Sequence, residues 1–182
     1  MAKSLKIVFD LDGVIADKPP LIPKPWLDWL FRGNFGNQLH YRFPGTKIEQ
    51  VIRKLSHFYL FRPPIKENIA FINRLAQKPV YELYIVSGRY SFLKPETQRW
   101  LEKRKINHLF KKVYLNLTDE QPHLFKERKL KELKADIFVD DDETLCNYLA
   151  QKLKATKIFC LNPRNGKYRF ATPIRSLEGL LE

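Results

Sequence analysis

The sequence predicts an α/β fold built on a mostly parallel sheet. Two observations predict it. Short apolar runs rich in β-branched residues recur along the chain, and amphipathic stretches of helical spacing lie between them. The runs are continuous rather than alternating, as expected for strands covered on both faces. The 182 residues suit one domain with a small insert, and an apolar content of 44% suffices for a core.

The first strand is read at residues 5–9 (LKIVF), and residues 17–64 then interrupt the alternation. That segment opens on KPPLIPKP and offers two helical candidates, residues 26–31 and 47–61, without a clear strand. Residues 18–64 hold eight Lys or Arg against two Asp or Glu, and nine aromatics. We read it as an insertion between the first strand and its crossover helix. That helix is residues 65–76, with apolar residues at 65, 69, 72, 75 and 76. The second strand is 82–86 (ELYIV), followed by a helix at 95–104 that has Pro95 at its start. The third strand is the weaker 113–115 (VYL), and a helix follows at 126–133. The fourth strand is 137–139 (IFV), with a helix at 142–153, and the fifth is 157–161 (KIFCL). Residues 177–181 form a closing helical turn.

The net charge of +13 marks a surface that attracts anions: nucleic acid, nucleotides, other phosphates or acidic lipid. No apolar run approaches the roughly 20 residues needed to cross a membrane. The apolar start is broken at Asp10 and Asp12, too early for a secretory leader, so a cytoplasmic protein is expected. Cys146 and Cys160 form no CxxC pair and have no His at zinc spacing; they read as reduced, buried thiols.

The sharpest feature is FDLDGVIAD, residues 9–17. A buried strand runs straight into Asp10 and Asp12, and ligands of open α/β sheets bind outside the carboxyl ends of the strands. Two carboxylates so close repel each other unless a cation intervenes, and Mg²⁺ takes hard oxygen ligands together with substrate phosphate. Gly13 permits the sharp turn that follows. Such a set can run phosphoryl chemistry, with one Asp as nucleophile and the other as acid and base. A calcium loop or a plain turn would use the same residues. After the second strand, Ser87, Gly88 and Arg89 offer a hydroxyl, backbone N–H groups and a guanidinium for a phosphate, or an ST-turn into a helix. After the fourth strand, Asp142 and Glu143 suit a helix N-cap and first turn, while Asp140 and Asp141 are left over for a cation. Lys126 stands at the expected beginning of its helix, whereas Lys129, Lys131 and Lys134 read as a solvated face.

Together these motifs resemble the haloacid dehalogenase superfamily of phosphatases, whose order is DxDG[TV], [ST]GR, an isolated Lys, and DD or GDxxxD. Here they are Asp10-Leu11-Asp12-Gly13-Val14, Ser87-Gly88-Arg89, Lys126 and Asp140-Asp141, covering nearly the whole chain outside the insert. The resemblance implies a three-layer Rossmann-like fold with strand order 3-2-1-4-5. It implies that Asp10 is the nucleophile and a Mg²⁺ ligand, and that Asp12 is the general acid and base with its backbone carbonyl on the metal. Ser87 and the Gly88 backbone would hold a phosphate oxygen, helped by Arg89. Lys126 would balance charge on the aspartyl-phosphate, Asp141 would be a further metal ligand, and Asp140 would stand beside it. The longer motif's further Asp is missing, since Leu145 and Cys146 occupy those positions. Lys129 remains an alternative to Lys126, and a contact of Asp142 with the metal shell stays open. Asp12 favours phosphoryl chemistry over dehalogenation, because the dehalogenase branch lacks an acid there.

Inserts after the first motif often form caps in this superfamily. The expected division is a core of residues 1–16 and 65–182 with a helical cap at 17–64. Its Trp26, Trp29, Phe31, Phe58, Tyr59 and Phe61 either make the cap's own small core or stack on bases. An interfacial helix at 25–31 is too short to favour. DGVIAD is also similar to the opening of the 5′-nucleotidase branch, which implies a nucleoside monophosphate substrate. The function expected is Mg²⁺-dependent hydrolysis of a small phosphomonoester. The alternatives are a phosphatase acting on nucleic-acid ends and a nucleic-acid-binding protein on an inactive scaffold.

Overall fold

A computed structural model describes residues 4–19, 39–161 and 170–181. The five expected strands form at Leu5–Phe9 (β1), Tyr81–Tyr90 (β2), Lys112–Asn116 (β3), Ile137–Asp140 (β4) and Lys157–Leu161 (β5). A sixth, Thr172–Ile174 (β6), joins them in one sheet of order β3-β2-β1-β4-β5-β6. Every neighbouring pair is parallel. The sequence gives β6 no signal, because three residues around a proline look like loop; the edge position tolerates Pro173, which has no N–H to pair.

Helices occupy Lys47–Ser56 (α1), Lys66–Ala76 (α2), Lys94–Lys103 (α3), Pro122–Leu133 (α4) and Glu143–Lys152 (α5). A 3₁₀ turn at Leu177–Leu180 closes the chain. α4 begins a turn earlier than the sequence implies, because Pro122 at its first position loses no hydrogen bond a helix start would use. Lys126 therefore sits in the second turn and not at the helix beginning. The helix expected over 47–61 stops at Ser56, where His57 caps it and the chain turns towards Pro63 and Pro64. The candidate helix 26–31, with Trp26, Trp29 and Phe31, lies outside the described residues.

Side-chain alternation along the strands builds two cores, one on each face. Ile7 and Phe9 of β1, Leu83 and Ile85 of β2, and Val139 of β4 pack with Phe71, Ile72 and Leu75 of α2 and with Trp100 of α3. Val8, Tyr84, Val86 and Phe138 point the other way, against Phe125 and Leu130 of α4 and Leu145 and Leu149 of α5. The crossovers therefore change face after β3, and the chain reverses between β1 and β4. That reversal opens the site at the carboxyl ends of those two strands. Cys146 and Cys160 are free and buried in the second core.

α1 has its amphipathicity inverted. Ile48, Val51, Ile52 and Leu55 are exposed, while Arg53 and Ser56 are buried. Phe58, Tyr59 and Phe61 form a ring cluster just beyond it, with centroids of 4.7 Å for Phe58–Tyr59 and 6.0 Å for Phe58–Phe61. No helix among the described residues is long and apolar enough to cross a membrane.

Phe138 is wholly buried at the centre of the second core. Phe138→Ala should lower stability by about 3–5 kcal/mol through lost burial and a residual cavity, read as a shift of the urea midpoint at unchanged slope.

Candidate active site

The site is assembled where β1 and β4 end side by side. Phe9 is registered with Val139, and the Asp10 amide donates to the Val139 carbonyl at 2.9 Å. Asp10 and Asp140 thus leave the sheet as neighbours. Lys126 reaches between them from α4, its Nζ 2.7 Å from Asp140 Oδ2 and 2.9 Å from Asp10 Oδ1. The first contact is a hydrogen bond, whereas the second is an ion pair without hydrogen-bond alignment, so Asp10 Oδ1 is buried with no hydrogen bond among the described residues. Lys129 instead bonds Glu132 on the outer face of the helix.

Asp141 completes an acidic cluster. One oxygen each from Asp10, Asp140 and Asp141 lie within 4.8 Å of one another. Gly13 makes the approach feasible: its φ of +79° is in the left-handed region, and a Cβ there would collide with the Asp141 carboxylate. Burial raises the Asp10 carboxyl to about 6, with Lys126 opposing and Asp12 and Asp141 adding to the rise. Burial likewise holds Asp140 well above the usual carboxylate range against Lys126, and raises Asp141 against Lys18, whose Nζ lies 2.9 Å away. Burial pulls the Lys126 ammonium down, but Asp10 and Asp140 outweigh it and hold it above its ordinary value.

Buried acids that resist ionisation, with an unbonded oxygen among them, fit a hard divalent cation, and an all-oxygen donor set suits Mg²⁺. Asp10 and Asp141 are the side chains that would hold it, while Asp140, bonded by the Lys126 ammonium and the Asp142 amide, stands beside them. The Asp12 carboxylate lies outside this cluster, which is compatible with a ligand role for its backbone carbonyl alone. Asp142 serves as the N-cap of α5, accepting from the amides of Thr144 and Leu145 at 3.1 and 3.2 Å, and its other oxygen accepts from Tyr41 Oη at 2.7 Å.

The second motif lies differently from the sequence expectation. β2 does not stop before Ser87 but continues to Tyr90, its pairing with β3 shifting between those two residues. Ser87 is buried, and its Oγ accepts from the Arg89 amide at 3.4 Å. Gly88 has a packing role besides: a Cβ there would stand 2.7 Å from Pro122 Cβ, so only glycine lets α4, which carries Lys126, approach β2 this closely.

Arg89 turns to Asp12. Its Nε donates to Oδ2 at 2.7 Å and its Nη2 to Oδ1 at 2.6 Å, while Nη1 donates to Thr97 Oγ1 at 3.0 Å. Arg62, which sequence reasoning missed, pairs with Asp12 Oδ1 as well. Burial alone would raise Asp12, but Arg89 and Arg62 outweigh it and hold the group well below the usual carboxylate range. Arg62 is fixed through its backbone, where its carbonyl accepts from Trp100 Nε1 at 2.7 Å. Its neighbours are stitched to the first motif: the Asp17 amide donates to the Pro63 carbonyl at 2.8 Å and the Ile65 amide to the Ile15 carbonyl at 2.9 Å. The sole signal in the sequence is a cation in the otherwise apolar run LFRPPI.

No protein-family model matches the sequence, and no curated protein matches it significantly. Solved structures match its fold. A chain of the Pnkp1/Rnl/Hen1 RNA repair complex is similar at a TM-score of 0.56 and 14% identity over 91% of this chain, which spans only 46% of that one. A HAD family enzyme from Bacteroides thetaiotaomicron, an Asp-to-Ala mutant in complex with magnesium and inorganic phosphate, is similar at 0.54 and 16% identity, covering 91% of this chain and 96% of that one. A haloacid dehalogenase-like family hydrolase from Xanthomonas campestris is similar at 0.54 and 10% identity, covering 96% and 92%.

His57 is buried beside the arginine pair, and its Nδ1 donates to the Arg53 carbonyl at 2.8 Å. Burial, then the charges of Arg89 and Arg62, push its pKa down to about 3, with Asp12 opposing. The folded-state value lies below the unfolded value of about 6.5, so the neutral ring's contribution is complete above that pH and is lost as pH falls towards 3. The wild type should therefore lose about 1.4 kcal/mol per pH unit below about 6.5 from this group. Urea midpoints at pH 7, 6 and 5 should fall more steeply for the wild type than for His57→Gln.

Proposed function

We propose that this chain, whose fold is that of the haloacid dehalogenase superfamily, is a Mg²⁺-dependent phosphomonoester hydrolase with Asp10 as its nucleophile. The observation that carries this reading is the meeting of Asp10, Asp140 and Asp141 in one cluster, with the buried Lys126 between the first two and Asp12 two residues beyond the nucleophile. Mg²⁺ held by Asp10, Asp141 and the Asp12 carbonyl, with Asp140 beside them, would supply the positive charge that lets a dianionic phosphoryl group approach a carboxylate.

The remaining chemistry belongs to the chain's own residues. Lys126 keeps the Asp10 carboxylate ionised and aimed out of the sheet. An Asp10 oxygen attacks phosphorus. Asp12, ionised between its arginines before substrate binds, takes up a proton from solvent as the phosphoryl dianion arrives and passes it to the departing ester oxygen, and an aspartyl-phosphate forms. Asp12 then takes a proton from water, which attacks that phosphorus and releases phosphate. The Ser87 hydroxyl and the Gly88 backbone steady the phosphoryl oxygens. Arg89 keeps Asp12 turned towards the leaving group and adds positive charge to the site. Residues 17–64 act as a cap in this reading, supported by the bonds of Tyr41 to Asp142 and Gln121 at the carboxyl ends of the strands.

A nucleotide is the substrate we favour among small esters, from the similarity of DGVIAD to the 5′-nucleotidase branch. A second reading, a phosphatase acting on nucleic-acid ends, draws on the +13 charge and on the RNA repair context of one structural neighbour. A nucleic-acid-binding protein on an inactive scaffold is disfavoured by the complete set of Asp10, Asp12, Lys126 and Asp141.

Phosphate release from nucleotides, sugar phosphates and phosphorylated oligonucleotides should require Mg²⁺, stop on chelation, and fall by about 10³-fold or more in Asp10→Asn. Folded wild-type protein that releases no phosphate from any of them would overturn the reading.

A further inference from the structure

Charge is divided unevenly across the site. On one side Asp10, Asp140 and Asp141 face two cations, Lys126 and Lys18. On the other, Asp12 is the carboxylate in direct contact with the two guanidinium groups of Arg62 and Arg89, while Asp141 and Asp17 act on Arg62 from further off. Counted in direct ion pairs, the first side has more carboxylates than cations and the second more cations than carboxylates. Both arginine side chains are 3% exposed, and the Nε of Arg62 finds no partner among the described residues. Buried cations without full compensation are costly, so the second side is built for a further anion.

Its position says where that anion belongs. Asp12 protonates the departing ester oxygen in the reading above, so groups that flank Asp12 flank the leaving group. The two arginines are also unequal. Arg89 holds both Asp12 oxygens and Thr97, whereas Arg62 pairs with Oδ1 alone. Asp12 can release Arg62 and stay gripped by Arg89. The Arg62 backbone is fixed by Trp100 and the Pro63–Pro64 stitch, so only its guanidinium need turn.

We propose that Arg62 is a specificity-determining residue that exchanges Asp12 for a second anionic group on the leaving-group side of the substrate. The preferred substrates are then phosphomonoesters with a neighbouring phosphate, as in nucleoside bisphosphates and phosphorylated nucleic-acid ends. This rests on the phosphatase reading and narrows it. Asp12 serves as the stand-in anion when no substrate is bound.

The test compares kcat/KM for matched pairs with Mg²⁺: adenosine 3′-monophosphate against adenosine 3′,5′-bisphosphate, and a nucleoside monophosphate against a short oligonucleotide phosphorylated at the same position. The second phosphate should raise kcat/KM by about tenfold or more, chiefly through KM, as a charge-assisted contact does. In Arg62→Gln the ratio within each pair should fall to about one, whatever the loss on the monophosphate itself. Arg62→Lys should keep part of the preference and guards against misfolding of the glutamine variant. A preference in the first pair alone assigns small bisphosphates, and one in the second pair alone assigns nucleic-acid ends. Wild-type ratios near one, or ratios that survive Arg62→Gln, overturn the inference and leave the phosphatase reading standing. Absence of phosphate release from every substrate overturns both.

Discussion

Lys126 is the residue on which the rest of the site depends. Its ammonium is buried between Asp10 and Asp140, at 2.9 and 2.7 Å, and lies 5.8 Å from the Phe138 ring centroid. β1 and β4 bring two acids out of the sheet side by side, which no pair of buried carboxylates would tolerate alone. A cation fixed from α4 removes the conflict, and it can be fixed only because α4 packs tightly on β2. That packing depends on Gly88 facing Pro122. A glycine in a strand thereby sets the position of a lysine on a helix.

Around this ion triad the site has opposite charge on its two sides. The acidic side gathers three carboxylates, one more than Lys126 and Lys18 neutralise, the condition in which a divalent cation binds. The basic side clamps Asp12 between Arg62 and Arg89, so the orientation of that carboxylate is set by two guanidinium groups before any substrate arrives. Phosphoryl transfer involves little beyond positioning and charge stabilisation, and the arrangement supplies both from fixed groups. The buried, neutral His57 adds no charge to the basic side.

The chain between β1 and α2 is tied down where it matters. Pro63 and Pro64 pair with the first motif through Asp17 and Ala16, so Arg62 is delivered to Asp12 by a short, stiff stretch. Tyr41 meets Asp142 and Gln121, and Phe43 lies edge-on to Tyr90 with a centroid distance of 4.9 Å. Between these ties α1 presents Ile48, Val51, Ile52 and Leu55 to solvent and turns Arg53 inward. Its pattern follows the helical period, but its orientation is the reverse of the usual one.

The sequence by itself determined the sheet and the acids. Continuous apolar runs at β1, β2, β4 and β5 can be buried only between two layers, and Asp10, Asp12, Asp140 and Asp141 stand at strand ends because carboxylates cannot continue such runs. Local pattern also placed Asp142 as a helix cap. Tertiary structure decided what no local pattern encodes. β2 runs on through Ser87-Gly88-Arg89 because β3 and α4 continue to cover it, although Gly and Arg look like the end of a strand. β6 exists because β5 offers it an edge. Arg89 serves Asp12, and Arg62, 50 residues away in sequence, joins it there. A guanidinium on a flexible stem has no preferred partner in sequence; burial selects the carboxylate within reach, and only the fold sets which one that is.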